Sequence, residues 1–308
     1  MWFIGVNQRN REHGKIINKV KIVIMSNTNN TTDLKSFHYL ENGDISFSML
    51  DTIKTTKKLD SGVYLLDYIG HPQYTVVLKT TSDKETVKMY DFDERAVLEG
   101  LFDVFFDENV VNKMGSLGFN HKAGILLYGK EGTGKTTIIK HYANKIVDEH
   151  GALVFYLSNA SYLKDIWNFV VNVRAIQDNP IVIVMEEIDT FLHDRKEGYL
   201  KVMFDGHESI DNCLFMATTN YIDSIPEAMK NRPSRFKYVM PIEGINKEEV
   251  IFDILSSMVG DMFEPTEIVD FARELKGSTL DFIKQFGLDK IMNLDSYKKN
   301  KKTIGFAV

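Results

Sequence analysis

The residues whose types and spacing are best suited to chemistry lie at positions 129–136. They read GKEGTGKT and fit the pattern G-x-x-x-x-G-K-[ST] at every fixed position, with a third glycine at position 132. Glycine adopts backbone conformations that other residues rarely reach, so successive N–H groups can point inward and surround phosphates at a helix N-terminus. Lys135 adds a positive charge at the β- and γ-phosphates, and the Thr136 hydroxyl is a hard oxygen ligand suited to Mg²⁺. The predicted nucleotide-binding residues are Gly129, Lys130, Glu131, Gly132, Thr133, Gly134, Lys135, Thr136 and Thr137.

The elements on either side of this segment are those that a phosphate-binding loop requires. Residues 125–128 are an apolar run with the length and composition of a buried strand. Apolar residues recur at helical spacing after the segment, and Gly151 is suited to ending that helix. Because strand, glycine-rich turn and helix follow in this order, the alternative of a chance glycine-rich turn is the weaker interpretation.

A second group of candidate residues follows the apolar run at positions 181–185. Glu186 can hold Mg²⁺ through a water molecule, and Glu187 can polarise the water that attacks a phosphate. The alternative is a pair of solvent-facing carboxylates at the end of a strand. Since the apolar run directs both side chains to the loop end of a sheet, we prefer the metal and base roles.

Three further polar residues stand where they can serve the same reaction. Asn220 closes an apolar run at 214–218 and can orient the attacking water or touch the γ-phosphate, although such a residue alone is more often part of a turn. Arg232 and Arg235 flank a proline, and their planar guanidinium groups suit the charge of a transferring phosphoryl group. The predicted catalytic residues are therefore Glu187, Asn220, Arg232 and Arg235, and the predicted metal ligands are Thr136 and Glu186.

The apolar runs at 153–157, 181–185 and 214–218 alternate with helical patterns, which predicts a parallel sheet with its chemistry at the carboxyl ends of the strands. The expected fold is α/β: a P-loop NTPase parallel sheet with a C-terminal helical lid and a small β-rich N-terminal domain. The predicted divisions are a poorly ordered segment (1–34), the β-rich domain (35–90), the nucleotide-binding α/β domain (91–244), and the helical lid with its tail (245–308).

The first two divisions, 1–34 and 35–90, are predicted from the composition and patterning of their residues. Residues 1–34 are mostly polar, a composition that buries too little apolar surface to order itself. Short alternating runs at 45–50, 62–68 and 74–78 are separated by turn residues, which predicts strands. A helix is expected within residues 91–120. Its predicted buried face is Val97, Leu98, Leu101, Phe102, Phe105 and Phe106.

Charge and hydropathy limit the partners of the chain. Its 308 residues carry a formal net charge of -6, which argues against a chain-wide electrostatic grip on nucleic acid. The sequence has no apolar run near the ~18 residues needed to cross a bilayer, so no membrane partner is expected. A single cysteine cannot form an internal disulfide, and a reducing, cytoplasmic compartment is expected.

The order of these motifs resembles that of the AAA ATPases over about residues 91–287. The matching stretches are GILLYGKEGTGKTT, PIVIVMEEID, FMATTNYIDSIPEAMKNRPSRF and GSTLDFIKQF. The resemblance implies ATP and Mg²⁺ as ligands, Asn220 as the residue called sensor 1, and a lid that approaches the nucleotide near Gly277 and Ser278. It also implies that Arg232 and Arg235 reach the ATP site of a neighbouring subunit, and hence a ring of identical chains, usually a hexamer.

The sequence departs from the AAA pattern at three places, and each departure affects a prediction. A lysine and a glutamate at 130–131 stand where the family commonly has two prolines, which leaves the phosphate-binding backbone unaltered. Glu186 replaces the usual aspartate, as in the mitochondrial BCS-type translocase ATPase, and its carboxylate still reaches a metal-bound water. The chain resembles the core of that protein without its membrane anchor. Residues 158–180 lack glycine, so an aromatic-glycine pore loop is not recognisable; either Tyr162 or Trp167 serves instead, or both pack within a helix.

These residues predict an enzyme, an AAA-type ATPase that couples Mg-ATP hydrolysis to remodelling of a macromolecule, with a protein as the favoured substrate. Two alternatives stay open: a loader- or helicase-like ATPase that acts on nucleic acid through the basic tail at 298–302, and a scaffold whose assembly is driven by ATP. The sequence does not identify the substrate, because residues 35–90 carry no readable motif.

Overall fold

The computed structural model describes residues 21–26, 37–40, 53–56, 58–68, 74–79, 89–157, 163–192, 197–205, 209–230, 232 and 234–292. Ten strands in this part of the chain form one sheet. The strands are β1 (Lys21–Ser26), β2 (Phe37–Leu40), β3 (Ile53–Thr56), β4 (Gly62–Tyr68), β5 (Tyr74–Lys79), β6 (Lys122–Tyr128), β7 (Leu153–Leu157), β8 (Ile181–Met185), β9 (Cys213–Thr219) and β10 (Phe236–Pro241). The helices are α1 (Arg95–Phe106), α2 (Glu108–Ser116), α3 (Lys135–His150), α4 (Leu163–Arg174), α5 (Ile188–Leu192), α6 (Glu197–Asp205), α7 (Glu227–Lys230), α8 (Glu248–Val259), α9 (Pro265–Glu274) and α10 (Leu280–Ile291).

Six neighbouring strands of the sheet run parallel, in the order β10-β6-β9-β8-β7-β4. Alternate residues of β8 pack into different clusters, because helices cover both faces of the sheet: Ile183 lies with residues of α4 and α6, and Val182 with residues of α1 and α3. Parallel strands end at the same edge, so the residues that follow β6, β8 and β9 lie side by side. The predicted α/β fold is confirmed.

The sheet continues into the residues predicted to form a separate β-rich domain at 35–90. β4 pairs in parallel with β7, with Tyr64 opposite Phe155, and β5, β1, β2 and β3 extend the sheet in antiparallel pairs. Tyr64 is completely buried. Gln177 binds both backbone groups of Leu59: its Oε1 accepts from the N–H at 2.8 Å, and its Nε2 donates to the carbonyl oxygen at 3.1 Å. Leu59, Tyr64 and Leu66 therefore lie in one core with residues of the parallel sheet, although the sequence placed them in the β-rich domain.

Strand β1 lies within residues 1–34, which the sequence predicted to be poorly ordered. Its backbone pairs with β5, beginning with Lys21 opposite Lys79. The short β-branched run at 22–24 suits a strand, and its partner lies far along the chain, which local composition does not reveal. The other parts of 1–34, the predicted strand at 45–50 and the basic tail at 298–302 lie outside the described residues.

Residues 95–116 form two helices instead of the single helix predicted. Asp107 separates them, because its ψ angle of 116° is extended and its side chain accepts a hydrogen bond from the Asn109 N–H at 2.8 Å, which caps α2. The buried residues of α1 are Leu98, Phe102 and Phe105. Val97 was predicted to lie on this face but is 60% exposed, since one residue along a helix turns the side chain by about 100°.

The three C-terminal helices form an apolar cluster of their own. Helix α9 starts with a proline at its first position and a capping box between Glu264 and Glu267. The cluster joins the rest of the chain where the Ile245 N–H donates to the Ser278 carbonyl oxygen at 2.9 Å and the Gly277 N–H donates to the Ile245 carbonyl oxygen at 2.8 Å. Among the described helices, none is both long and apolar enough to cross a bilayer.

Candidate functional site

The loop between β6 and α3 has a backbone conformation that requires glycine. Gly132 and Gly134 have positive φ angles of 74° and 97°, which residues with side chains rarely adopt. Gly129 is required for another reason: a Cβ at this position would lie 2.1 Å from the carbonyl oxygen of Ile242. Helix α3 begins directly after Gly134, so its unpaired N-terminal N–H groups lie at the loop. The predicted phosphate-binding segment is thus formed from the expected strand, turn and helix.

The side chain of Lys135 is buried at this loop. Its Nζ donates hydrogen bonds to the carbonyl oxygens of Gly129 at 2.7 Å and Lys130 at 2.8 Å. Burial lowers the pKa of Lys135, while the charges of Glu131 and Glu187 raise it. The loop therefore holds a partly desolvated ammonium group, which suits an anionic ligand.

Thr136 and Glu186, the predicted metal ligands, lie next to each other. Glu186 follows β8, and the Thr136 side chain in the first turn of α3 is near enough to its carboxyl group to affect its pKa. Burial raises the pKa of the Glu186 carboxyl group, while the charge of Lys140 and the Thr136 side chain lower it. Its Oε1 atom is buried and has no hydrogen-bond partner among the described residues. A buried carboxylate oxygen without a donor, beside a hydroxyl group, fits a hard divalent cation such as Mg²⁺.

Glu187 lies at the same edge of the sheet with an exposed side chain. Its φ angle is 50°, and its N–H donates a hydrogen bond to the Thr218 hydroxyl at 3.1 Å. The charge of its carboxylate raises the pKa of Lys135, so the two charged groups are near enough to interact. The carboxylate is therefore close to the phosphate-binding loop and open to water.

Asn220 directly follows β9, the strand between those that lead into the loop and into the two glutamates. The preceding residue, Thr219, is hydrogen-bonded both to the phosphate-binding loop and to helix α5, which follows the two glutamates. Its carbonyl oxygen accepts from the Gly129 N–H at 3.3 Å, and its hydroxyl bonds to the Asp189 carboxylate at 2.7 Å. The structure thus brings the loop, the two glutamates and Asn220 together at one edge of the sheet.

The two arginines predicted to act together have opposite environments. Arg232 is exposed. Arg235 is 4% exposed, its Nε lies 2.6 Å from Oδ2 of Asp205, and its Nη1 donates to the Ala228 carbonyl oxygen at 2.7 Å. A guanidinium group held in this way inside its own subunit does not extend toward a neighbouring one. The position of Arg235 is thus at odds with the predicted role, and Arg232 is the arginine on the surface.

A cleft opens beside the loop. Its walls are residues 89–94 and 242–247, Thr133, Gly134, Thr137, Ile138 and Leu280. Lys247 joins the two main walls, because its Nζ lies 2.6 Å from Oδ2 of Asp91 and 3.7 Å from Oδ1 of Asp93. The sequence did not reveal these walls, since Asp91 and Lys247 are 156 positions apart and neither segment carries a motif. The cleft lies directly beside Thr133 and Gly134 of the loop, so it is adjacent to the position of a phosphate bound there.

The C-terminal helices contact the loop directly. The Asp281 N–H, at the start of α10, donates to the Gly132 carbonyl oxygen at 3.0 Å. Gly277 and Ser278, which the sequence placed near the nucleotide, bond through their backbones to Ile245, a residue of the cleft wall. Helix α10 and the turn before it therefore lie against one side of the site.

Trp167, one of the two candidates for gripping a substrate, lies in the core instead. It is 2% exposed, and its ring centre is 6.1 Å from that of Phe215. Trp167 is therefore a packing residue, which was the second of the two interpretations. Tyr162 lies outside the described residues.

Comparison with known proteins places the central part of the chain in one family. The model of the "ATPase family associated with various cellular activities (AAA)" matches residues 125–243. The Cell division cycle protein 48 homolog of Archaeoglobus fulgidus is 31% identical over 150 residues, which cover 43% of this chain and 20% of the relative. Proteasome-activating nucleotidase 1 of Haloferax volcanii is 26% identical over 188 residues, which cover 53% and 45%. The ATP-dependent zinc metalloprotease FtsH 1 of Sphaerobacter thermophilus is 27% identical over 257 residues, which cover 73% and 37%.

The extent of these matches agrees with the geometry of the site. The phosphate-binding loop, the acidic pair after β8, Asn220 and both arginines all lie within the matched residues. The chain spans less than half the length of each of the three relatives, so the similarity concerns the nucleotide-binding region. In this region, residues 125–243, the chain matches the AAA domain of P-loop ATPases.

Proposed function

We propose that this chain couples the hydrolysis of Mg-ATP to remodelling of a macromolecule, with a protein as its substrate. The observation that supports this most is the meeting of three kinds of group at one edge of the sheet: the buried Lys135 in its loop, the Thr136–Glu186 pair, and the exposed Glu187 carboxylate. ATP hydrolysis requires groups that hold the phosphates, hold a metal and activate water. Each requirement has a candidate here.

In this proposal the triphosphate binds against the N–H groups of residues 129–137, and the nucleoside occupies the neighbouring cleft. Lys135 exchanges the carbonyl oxygens of its own loop for oxygens of the β- and γ-phosphates. The exchange is favourable because a desolvated ammonium group gains a charged partner in place of neutral ones. The backbone bond between Asp281 and Gly132 supports contact of the C-terminal helices with a nucleotide bound there.

Thr136 and Glu186 are the residues that hold Mg²⁺ in this proposal, Glu186 through a water molecule. When bound, the ion neutralises charge on the phosphate oxygens. The buried Oε1 of Glu186 would then gain the partner that it lacks among the described residues, which supports this assignment.

Glu187 is the general base of the proposed reaction. It accepts a proton from a water molecule whose oxygen attacks the γ-phosphorus, while the bond between that phosphorus and the β–γ bridging oxygen breaks to give ADP and phosphate. Asn220 orients the same water through its side-chain amide. Support for these roles comes from the exposure of Glu187 and from the place of Asn220 at the end of the strand between the loop and the glutamates.

A ring of identical subunits, most simply a hexamer, is a further part of the proposal. Arg232 of one subunit reaches the ATP of the next and stabilises charge on the transferring phosphoryl group. The exposed position of Arg232 supports this role. Arg235 keeps its bond to Asp205 and anchors the segment that carries Arg232.

The choice of a protein substrate follows the relatives and the charge of the chain. Two of the relatives are named as a proteasome-activating nucleotidase and as an ATP-dependent metalloprotease. The net charge of -6 disfavours nucleic acid, whose binding depends on cationic contacts to phosphates. Protein remodelling is therefore the version of the proposal that we favour.

Glu187→Gln tests the proposed reaction. We expect ATP binding to stay within about threefold of the wild type and turnover to fall by about 10²–10⁴-fold, because an amide cannot accept the proton. Glu274→Gln makes the same change on an exposed face of α9 and should alter neither quantity. Phosphate release at saturating Mg-ATP and equilibrium binding of a fluorescent ATP analogue are the measurements. Turnover of Glu187→Gln equal to that of the wild type would remove Glu187 from its proposed role.

A further inference from the structure

The backbone of Glu187 has a conformation that its residue type disfavours. Glu187 and Asn212 are the residues other than glycine with positive φ in the described part of the chain, at 50° and 49°. Asparagine enters this left-handed region readily, whereas glutamate does so seldom and only where its surroundings hold it there. The conformation decides where the side chain leaves the main chain, so the groups that hold it also direct the carboxylate.

Both peptide groups of Glu187 have hydrogen-bond partners that hold this conformation. Its carbonyl oxygen accepts from the Thr190 N–H at 2.9 Å and from the Thr190 hydroxyl at 2.8 Å. Its N–H donates to the Thr218 hydroxyl at 3.1 Å. Thr190 belongs to the same turn as Glu187, whereas Thr218 is 31 positions away on a neighbouring strand. The Thr218 contact is therefore the one that fixes Glu187 relative to another element.

Thr218 is itself fixed relative to the phosphate-binding loop. It lies in β9 opposite Leu127 of β6, two residues before Gly129, and it is 3% exposed. The carbonyl oxygen of the next residue, Thr219, bonds to the Gly129 N–H. The backbone pairing of β9 with β6 and the Thr218 hydroxyl therefore connect the loop to the N–H of Glu187.

We propose that Thr218 is a positioning residue for Glu187, which it holds through this hydrogen bond in the direction required to activate water at a phosphate in the loop. The inference rests on the proposed role of Glu187 as general base. Without the hydroxyl, the Glu187 peptide turns away from the left-handed region and the carboxylate moves relative to the loop, while the loop keeps its own contacts. ATP binding is then retained and the hydrolysis step is slowed.

Two substitutions separate positioning from packing. Thr218→Val keeps the shape of the side chain and removes the hydroxyl, and Thr218→Ser keeps the hydroxyl and removes a methyl group. We expect Thr218→Val to lower kcat by about 10–100-fold with ATP affinity within about threefold of the wild type, as for a displaced catalytic group. Thr218→Ser should restore kcat to within about threefold of the wild type. Equal losses in both variants, or a wild-type kcat in Thr218→Val, would overturn the proposal.

A double variant shows whether Thr218 acts through Glu187. Residues that act as a unit have non-additive effects, so Thr218→Val should cause no further loss of turnover when Glu187→Gln is already present. A full additional loss in the double variant would show that Thr218 serves another group, and the proposal would fail.

Amide exchange tests the contact without relying on turnover. The Glu187 N–H should exchange with solvent at least about tenfold faster in Thr218→Val than in the wild type or in Thr218→Ser, because its buried acceptor is lost. Unchanged exchange would contradict the positioning contact. If Thr218→Val exchanges faster as expected but the wild type releases no phosphate from Mg-ATP, the proposed function fails while the positioning contact stands. The two failures are therefore distinguishable.

Discussion

Arg235 differs most from its predicted role. Its type and spacing indicated a catalytic arginine, whereas in the structure it is buried and paired with Asp205. Its partner Asp205 is 30 positions away at the end of α6, and no sequence pattern relates the two. The motif residues Lys135, Glu186 and Glu187 meet at one edge because strand, turn and helix place them locally and the parallel sheet aligns the strand ends. A role that depends on a long-range contact, such as that of Arg235, needs the structure.

The Asp205–Arg235 pair predicts a pH-dependent contribution to stability. Burial raises the pKa of Asp205, but hydrogen bonds from Ser234 and Arg235 outweigh burial and hold the pKa below its usual value. A depressed pKa means that the folded protein prefers the carboxylate, so its stabilising effect is present above the unfolded pKa of about 3.9 and is lost as the pH falls through the folded value. Asp205→Asn should therefore lower the free energy of unfolding by about 1–3 kcal/mol at pH 7, where the pair is charged.

Urea unfolding at several pH values checks this prediction. The difference between wild type and Asp205→Asn should be constant from neutral pH to about 4 and should shrink as the pH falls further, because the wild type loses the Asp205 charge only as the pH passes through the lowered folded pKa. Asp223→Asn, which changes an exposed aspartate, serves as the control. A difference that is constant with pH would show that the Asp205 charge does not stabilise the fold.

At the scale of elements, the sequence predicted what is continuous in the chain and missed what is assembled from distant parts. The unit of β6, glycine loop and α3 was predicted because its strand, turn and helix are consecutive. The pairing of β4 with β7 was missed, since neither strand carries a signal for its neighbour. The cleft was missed for the same reason: residues 89–94 and 242–247 meet only in the fold.

Substitution of Gln177 tests whether the residues before β4 belong to the core of the sheet. Its amide satisfies both backbone groups of Leu59, which is 3% exposed. Gln177→Ala leaves these buried groups without their partner, and we expect the free energy of unfolding to fall by about 2–3 kcal/mol. Gln285→Ala, on the exposed face of α10, should change it by less than about 0.5 kcal/mol. Urea unfolding measures both, and equal effects would show that residues 58–66 contribute little to the stability of the sheet.

At the scale of the whole molecule, the parallel sheet places its chemistry at one edge, while Arg232 lies exposed on the surface. Under the proposed function, the exposed Arg232 completes the ATP site of a second copy of the chain. If the sites are shared in this way, ATPase activity depends on the assembly of several chains.

Mixing of two inactive variants tests for shared sites. Lys135→Ala removes the phosphate-binding lysine but keeps Arg232, and Arg232→Ala keeps the loop but removes the arginine. Each alone should lose at least about 10³-fold in turnover, the range typical of arginine fingers. Equal amounts of the two should recover a measurable fraction of wild-type phosphate release, because a Lys135→Ala subunit lends its arginine to an intact loop. Absence of recovery in mixed rings, with mixing shown by differently tagged subunits, would count against a trans arginine.

The central claim is that a triphosphate binds in the loop after Tyr128 and is cleaved beside Glu186 and Glu187. Its most direct test is phosphate release from ATP by the purified chain, with and without Mg²⁺, together with equilibrium binding of ATP. We predict that the chain binds ATP, that Mg²⁺ is required for phosphate release, and that Lys135→Ala abolishes binding. A chain that fails to retain ATP in the presence of Mg²⁺, or that releases phosphate equally well after Lys135→Ala, would contradict this account.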